Sequence, residues 1–166
     1  MKNFIITGSS SGIGNAVALQ LNSPDFHLFL LGRDIKQVNK LKLTLDSQIT
    51  FVECDLKNIG SIQSALSELP NIIHGFVHCA GVTRTDPINK ISHEKFNDLF
   101  KVNTFSFIEI LKWISKEKKL KSEVWTSVVA VSSIASVKGG IGQTLYAASK
   151  AALEAAVVTL SKELIR

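Results

Sequence analysis

At 166 residues, 45% of them hydrophobic and 20% charged, the chain has the length and composition of one globular domain, able to bury roughly 70% of its extended surface. Its net charge of +5 is interspersed with acids except at Lys112, Lys116, Lys118, Lys119 and Lys121, where cations complement a predicted helix end; without interleaved aromatics this argues against nucleic-acid binding. No apolar run reaches the roughly 18 residues of a membrane span, and Met1 to Thr7 is too short for a secretory core, so a cytoplasmic chain with no membrane contact is expected.

In chain order, Phe4 to Thr7 reads as a buried strand running into Thr7-Gly8-Ser9-Ser10-Ser11-Gly12-Ile13-Gly14. After it, Ile13, Ala16, Val17 and Leu21 recur at helical spacing. A glycine turn between strand and helix suits a phosphate, because the backbone can approach closely and the helix start offers N–H groups and a positive dipole end. Alone, such a turn is weakly specific, and a plain surface turn is the competing reading. Ser23-Pro24-Asp25 breaks the helix, and His27 to Leu31 forms a second strand ending in Gly32-Arg33-Asp34. There a nucleotide fold meets the adenosine ribose, and an arginine suits a 2′-phosphate. Arg33 thus favours NADP over NAD, while Asp34 reads as the next helix's N-cap.

Ile35, Val38, Leu41 and Leu45 then predict a helix, Ile49 to Val52 a third strand followed by Asp55-Leu56, and Ser61 to Leu69 a helix stopped by Pro70. Ile73 to His78 is a fourth strand before Cys79-Ala80-Gly81. Cys54 and Cys79 lie in or beside these apolar segments and read as buried reduced thiols, not metal ligands. Pro87 and Asn89 fall in a loop, and Glu94 to Phe100 begins another helix. Apolar residues spread round most of the helices at Phe105 to Ile114 and Ala147 to Leu160. Such helices are covered on more than one side, by the sheet and by another subunit, so a homo-oligomer is expected. Strands alternating with helices, with no tight hairpin signal, give parallel strands in a three-layer α/β/α sandwich with right-handed crossovers.

The chemistry concentrates late in the chain. Tyr146 and Lys150, four apart on a predicted helix, share a face, so phenol and ammonium point the same way. A cation beside a phenol favours its ionised form and eases proton exchange at neutral pH. Ser133 follows the apolar run Val128 to Val131, so its hydroxyl emerges at a strand's C-terminal end, where open α/β sheets place ligands. Three groups can then meet one carbonyl oxygen, although Tyr and Lys at this spacing also occur by chance.

These motifs, in this order, resemble the short-chain dehydrogenase/reductase family, in the compact branch that includes 3-oxoacyl-(acyl carrier protein) reductases. Gly8, Gly12 and Gly14 match its TGxxxGxG turn, Asp55 its adenine-contacting acid, and Ala80-Gly81 the second half of its Asn-Asn-Ala-Gly motif. Asn103, Ser133, Tyr146 and Lys150 match its catalytic tetrad. The resemblance implies a Rossmann-like doubly wound parallel sheet and one nicotinamide-binding domain over residues 1–166. It implies NADP, with NAD as the alternative, held by Gly8, Ser10, Ser11, Gly12, Ile13, Gly14, Arg33, Asp55, Leu56, Ala80, Gly81, Tyr146 and Lys150. Tyr146 is then the general acid for carbonyl reduction or the base for alcohol oxidation, and Ser133 holds the substrate oxygen. Lys150 supports the tyrosine and the nicotinamide ribose, and Asn103 places a water in a proton relay to Lys150. The plainer readings are that Ser133 caps a turn and Asn103 turns the chain.

Departures from the pattern carry expectations of their own. His78 and Cys79 stand where the family has two asparagines, which puts the bonds bracing its sheet in question. Ser11 stands where NADP-preferring relatives often carry a second basic residue, leaving that preference to Arg33. Relatives continue beyond the Tyr-Lys helix with further strands and a segment over the substrate. The sequence therefore reads as part of a longer protein, or as a shortened relative lacking the last strands whose sheet a partner covers. Val124, Trp125, Val128, Val129 and Val131 read as a strand buried on both faces, yet with nothing after it this strand forms an apolar edge. Gly139-Gly140-Ile141-Gly142 predicts a flexible rim before Tyr146. Two functions follow: hydride transfer between NADP(H) and a carbonyl or secondary alcohol, and a nucleotide-binding module without efficient catalysis.

Overall fold

The computed structural model describes residues 1–33, 46–117 and 126–164. Strand β1 (Lys2–Thr7), helix α1 (Gly12–Gln20), strands β2 (Phe26–Gly32) and β3 (Gln48–Glu53), helix α2 (Ile59–Ser67) and strand β4 (Gly75–His78) come first. Helices α3 (His93–Phe100) and α4 (Ser106–Glu117), strand β5 (Ser127–Ala130), the short α5 (Ala135–Lys138) and the long α6 (Thr144–Leu164) follow. The expected helix carrying Ile35, Val38, Leu41 and Leu45, its Asp34 cap, and Lys118, Lys119, Lys121, Val124 and Trp125 lie outside the described residues.

The strands pair in parallel in the order β3-β2-β1-β4-β5, with Thr7 opposite Leu31 on one side and His78 on the other. From β1 the chain steps outward through β2 and β3, then crosses back to lay β4 against the free side of β1. That reversal leaves a crevice beyond the carboxyl ends of β1 and β4, where doubly wound sheets bind ligands.

Alternate residues of a strand face opposite ways, and both faces are used here. Ile5, Phe29, Leu31 and Phe76 pack with Ile62 and Leu66 of α2, Phe107, Ile110 and Ile114 of α4, and Leu153 of α6. Ile6, Leu28 and Leu30 pack with Ala18 of α1. Each fully buried aliphatic side chain contributes roughly 1.5–3 kcal/mol, which fixes helices on both faces. The result is the expected three-layer, Rossmann-like sheet. Side chains set the helix starts: Asn58 Oδ1 accepts from the N–H of Gly60 at 2.9 Å and of Ser61 at 3.3 Å, and Ser92 Oγ accepts from Lys95 N–H at 3.3 Å.

Strand β5 pairs with β4 alone and is the edge of the described sheet, as expected, so Val128 and Val129 are 37% and 53% exposed. One element differs from the sequence expectation. The helix expected from Phe105 is entered through a π-helical turn, Lys101–Phe105, which joins α3 to α4.

Candidate functional site

Gly8 ends β1 with φ +70, and a Cβ there would stand 2.7 Å from Ala80 N and 2.9 Å from the Cys79 carbonyl carbon. The exits of β1 and β4 meet backbone to backbone, which only glycine allows. Gly14 is closed in by the Gly8 carbonyl oxygen. At Gly12, by contrast, a Cβ would meet nothing within 4 Å. This open space adjoins the start of α1, where Ser11 makes no side-chain bond to cap the helix. Uncapped N–H groups at a helix start are an anion site.

The turn forms one wall of a groove of about 430 Å³. The groove runs past Gly32 and Arg33 after β2 and Asp55, Leu56 and Lys57 after β3, to Cys79, Ala80 and Gly81 after β4. Gly8, Ser10, Ser11, Gly12, Ile13, Gly14, Arg33, Asp55, Leu56, Ala80 and Gly81 all line it; Tyr146 and Lys150 do not. Asp55 shapes its own corner, its Oδ1 accepting from Lys57 N–H at 3.0 Å while its N–H donates to Ser61 Oγ at 2.9 Å.

Helix α6 places half-buried Tyr146 one turn before buried Lys150. Lys150 Nζ donates to the Val131 carbonyl at 2.8 Å. A Cβ on Gly81 would come within 3.3 Å of that ammonium and 3.5 Å of Asn103 Oδ1, so the groove and the Tyr-Lys helix meet at Gly81. Burial pushes the Lys150 ammonium below the usual lysine range, opposed in part by neighbouring Cys79. Cys79 is half-buried rather than buried, because it faces the groove, and burial pushes its thiol up.

Asn103 is wholly buried in the π turn, a feature common at functional sites. Its Oδ1 accepts from Val82 N–H at 2.8 Å, and its Nδ2 donates to the Val82 carbonyl at 2.9 Å and to Ser149 Oγ at 3.0 Å. Ser149 Oγ in turn donates to the Tyr146 carbonyl at 2.8 Å. The amide therefore ties the loop after β4 to α6 between Tyr146 and Lys150. Ser133 lies just past β5, half-buried, its Oγ accepting from Ala135 N–H at 3.2 Å. Among the described residues no hydrogen bond joins Ser133 to Tyr146; packing of α5 against α6 brings them to one end of the sheet.

The sheet brace is made without the asparagines. Buried His78 pairs through Nδ1 with Thr7 Oγ1 at 2.9 Å, and Thr7 Oγ1 also accepts from Ala80 N–H at 3.3 Å. Burial, with the charge of Lys150, pushes the His78 imidazole down to about 3. The glycine rim is held at its last residue, where Asp86 N–H donates to the Gly142 carbonyl at 2.9 Å, and Arg84 and Lys95 hold the Asp86 carboxylate at 3.0 and 2.7 Å. Sequence reasoning misses Phe51, Lys57 and Val102 on the groove wall and Ser149 and Glu154 on α6. For the last two, the signal is helical spacing: Ser149 lies three residues after Tyr146, and Glu154 lies four after Lys150.

A glycine turn at the switch point of a doubly wound parallel sheet, with a groove leading to a Tyr-Lys helix, defines a Rossmann-like nucleotide-binding class. The chain belongs to the short chain dehydrogenase family, whose model it matches over residues 2–166. It is 29% identical to the 3-oxoacyl-(acyl-carrier-protein) reductase of Rickettsia felis, across 98% of this chain and 66% of that protein. It is 26% identical to carbonyl reductase family member 4 of Xenopus tropicalis, across 97% and 68% respectively. In fold it is similar to a short-chain dehydrogenase from Sphingobium yanoikuyae in complex with NADPH: TM-score 0.87, 20% identity, 99% of this chain and 66% of that one. The chain spans about two thirds of the length of the curated relatives it matches. Among the described residues, no helix is long and apolar enough to cross a membrane.

Proposed function

We propose that the chain is the cofactor-binding and catalytic part of an oxidoreductase that moves a hydride between NADP(H) and a carbonyl or secondary alcohol. The observation that carries this reading is Gly81, which lines the nucleotide-sized groove and also lies against Lys150 and Asn103. The glycine wall and uncapped start of α1 suit a pyrophosphate, and Arg33 suits a 2′-phosphate, with NAD as the alternative to NADP. The NADPH-bound Sphingobium relative agrees with that fit.

A bound nicotinamide would supply the hydride; the chain's own part is binding, orientation and the proton. The Tyr146 hydroxyl gives a proton to the carbonyl oxygen in reduction and takes one back in oxidation. The Ser133 hydroxyl donates a hydrogen bond to the same oxygen, and the Lys150 ammonium holds positive charge one turn from the tyrosine. Asn103 keeps the groove wall and α6 in register and serves the relay to Lys150. The chain acts in the cytoplasm as one nicotinamide-binding domain, and it pairs with a second copy through α4 and α6, the two helices with apolar residues most of the way round; exposed Phe105 and Val158 support that interface.

A second reading, a nucleotide-binding module without efficient chemistry, is favoured by the 69%, 79% and 101% exposure of Ile134, Val137 and Ile141, which leaves the side beyond Ser133 uncovered. Fluorescence titration with NADPH and NADH, then a broad carbonyl panel, separates the two. Tight binding with turnover supports the oxidoreductase, binding without turnover supports the module, and no binding overturns both.

A further inference from the structure

One side-chain cluster beside the tetrad takes no direct part in the proposed proton or hydride transfer. Glu154 lies on α6 one turn beyond Lys150, on the same face, and is half-buried. Its Oε1 accepts from Ser132 Oγ at 2.6 Å and from Ser136 Oγ at 2.7 Å. These two serines bracket Ser133. The Ser136 hydroxyl also lies 2.7 Å from the Ser133 carbonyl, which accepts from Ser136 N–H at 3.0 Å. Bonds this short from hydroxyls to an ionised carboxylate are of the stronger, charge-assisted kind. Both serine hydroxyls hold the Glu154 carboxyl below the usual carboxylate range.

The segment packs on α6 through one side only, and much of its apolar surface is open. Ile134 and Val137 are 69% and 79% exposed, and only Ala135 between them is buried. Strand β5, which feeds the segment, is the edge of the sheet among the described residues. With the Lys150–Val131 bond at the segment's start, the Glu154 carboxylate is the second side-chain tether to the helix that carries Tyr146 and Lys150, and it grips the residues on either side of Ser133. We propose that Glu154 is a positioning residue, which acts through Ser132 and Ser136 to keep the Ser133 hydroxyl in register with Tyr146; this rests on the proposed carbonyl chemistry. One helix then sets all three groups around the substrate oxygen: Tyr146 and Lys150 directly, Ser133 through Glu154.

The test uses the 166-residue chain with Glu154→Ala, Glu154→Gln, Ser133→Ala and the Ser133→Ala/Glu154→Ala pair. Misplacement of a reacting group by about 1 Å costs up to roughly a hundredfold in rate, so Glu154→Ala is expected to lower kcat/KM for the carbonyl by about tenfold to a hundredfold. NADPH affinity should stay within about twofold, because the groove wall does not include Glu154. Glu154→Gln keeps an acceptor oxygen and should recover most of the loss. If Glu154 acts through Ser133, adding Glu154→Ala to Ser133→Ala brings no further loss; additive losses would overturn the proposal. Hydrogen exchange at the Ala135 and Ser136 amides gives a readout independent of turnover, and Glu154→Ala should speed it. Unchanged exchange overturns the tether whatever the kinetics show. A wild-type chain that binds NADPH but reduces no carbonyl overturns the chemistry, and with it the positioning role; accelerated exchange in Glu154→Ala would then leave a tether of the segment alone.

Discussion

Lys150 Nζ donates a 2.8 Å hydrogen bond to the carbonyl oxygen of Val131, joining α6 to the segment that leaves β5. The ammonium is buried and its ionised form is penalised by that burial. Replacing it with Lys150→Met removes the penalty but leaves the carbonyl without its donor, a loss of about 1–3 kcal/mol. The two effects oppose each other. Lys150→Met is therefore expected to abolish carbonyl reduction while urea unfolding shows a stability change below about 2 kcal/mol. A larger collapse would make the lysine chiefly structural.

Tyr146→Phe removes a hydroxyl and little else, since the packing of the ring is retained. Turnover should fall by at least about 10²-fold to 10⁴-fold, the range associated with a lost general acid. NADPH affinity, read by fluorescence, should change by less than about twofold, because the ring is not on the groove wall. Retained turnover would remove the tyrosine from the mechanism.

The three glycines of the phosphate turn should separate by mechanism. Gly8→Ala puts a Cβ on the Ala80 and Cys79 backbone at a positive φ, and Gly14→Ala puts one on the Gly8 carbonyl. Neither backbone can yield, so both variants should lose NADPH binding and at least about 2 kcal/mol of stability. Gly12→Ala clashes with nothing, and only its φ of +53 is unfavourable. It should fold with a loss of about 1–2 kcal/mol and still bind NADPH more weakly, because the methyl fills the space beside the start of α1. Thermal unfolding with and without NADPH distinguishes these cases.

Most of the sheet was legible because its residues obey local rules. The apolar runs at Phe4, His27, Ile49 and Ile73 and the breakers at Pro24 and Pro70 give elements wherever they fall, and the glycine turn announces the switch point. Long-range relationships were not legible. Nothing in Ser132, Ser136 and Glu154 says that they meet, because their pairing depends on how α6 crosses the end of β5. The π turn at Asn103 spans only Lys101–Phe105, too short a stretch for a change of helical period to be read from the apolar pattern. His78 looked like a lost brace, since residue identity does not reveal that Thr7 supplies the partner atom. The valine-rich run of β5 looks the same at the centre of a sheet and at its edge, and only the order of the elements marks it as an edge.

Arg33 tests cofactor preference. It is exposed at the end of β2, on the groove wall, so its guanidinium is available without rearrangement. A charged hydrogen bond to a phosphate contributes about 1.5–3 kcal/mol, which is tenfold or more in affinity. Arg33→Ala should thus weaken NADPH by about tenfold or more and leave NADH within about twofold, as read by paired titrations. Equal weakening of both nucleotides would place the arginine elsewhere than on a 2′-phosphate.

Acid stability should carry the signature of His78. Its imidazole is neutral in the fold, pushed down to about 3 by burial and by the charge of Lys150, whereas in the unfolded chain it titrates near the ordinary value of 6.5. Between those limits the unfolded state binds the extra proton, so stability falls as pH drops through the window and is unaffected by this group above it. The slope from one such site is at most about 1.4 kcal/mol per pH unit. His78→Asn removes the titration and offers Thr7 a different partner. Urea unfolding of the two proteins between pH 6.5 and pH 4.5, above most carboxylate titrations, should therefore show a shallower loss in the variant, by up to that slope. Parallel curves would mean that the buried histidine accepts a proton without unfolding, and that the Thr7–His78 contact does not hold the β1 and β4 exits together.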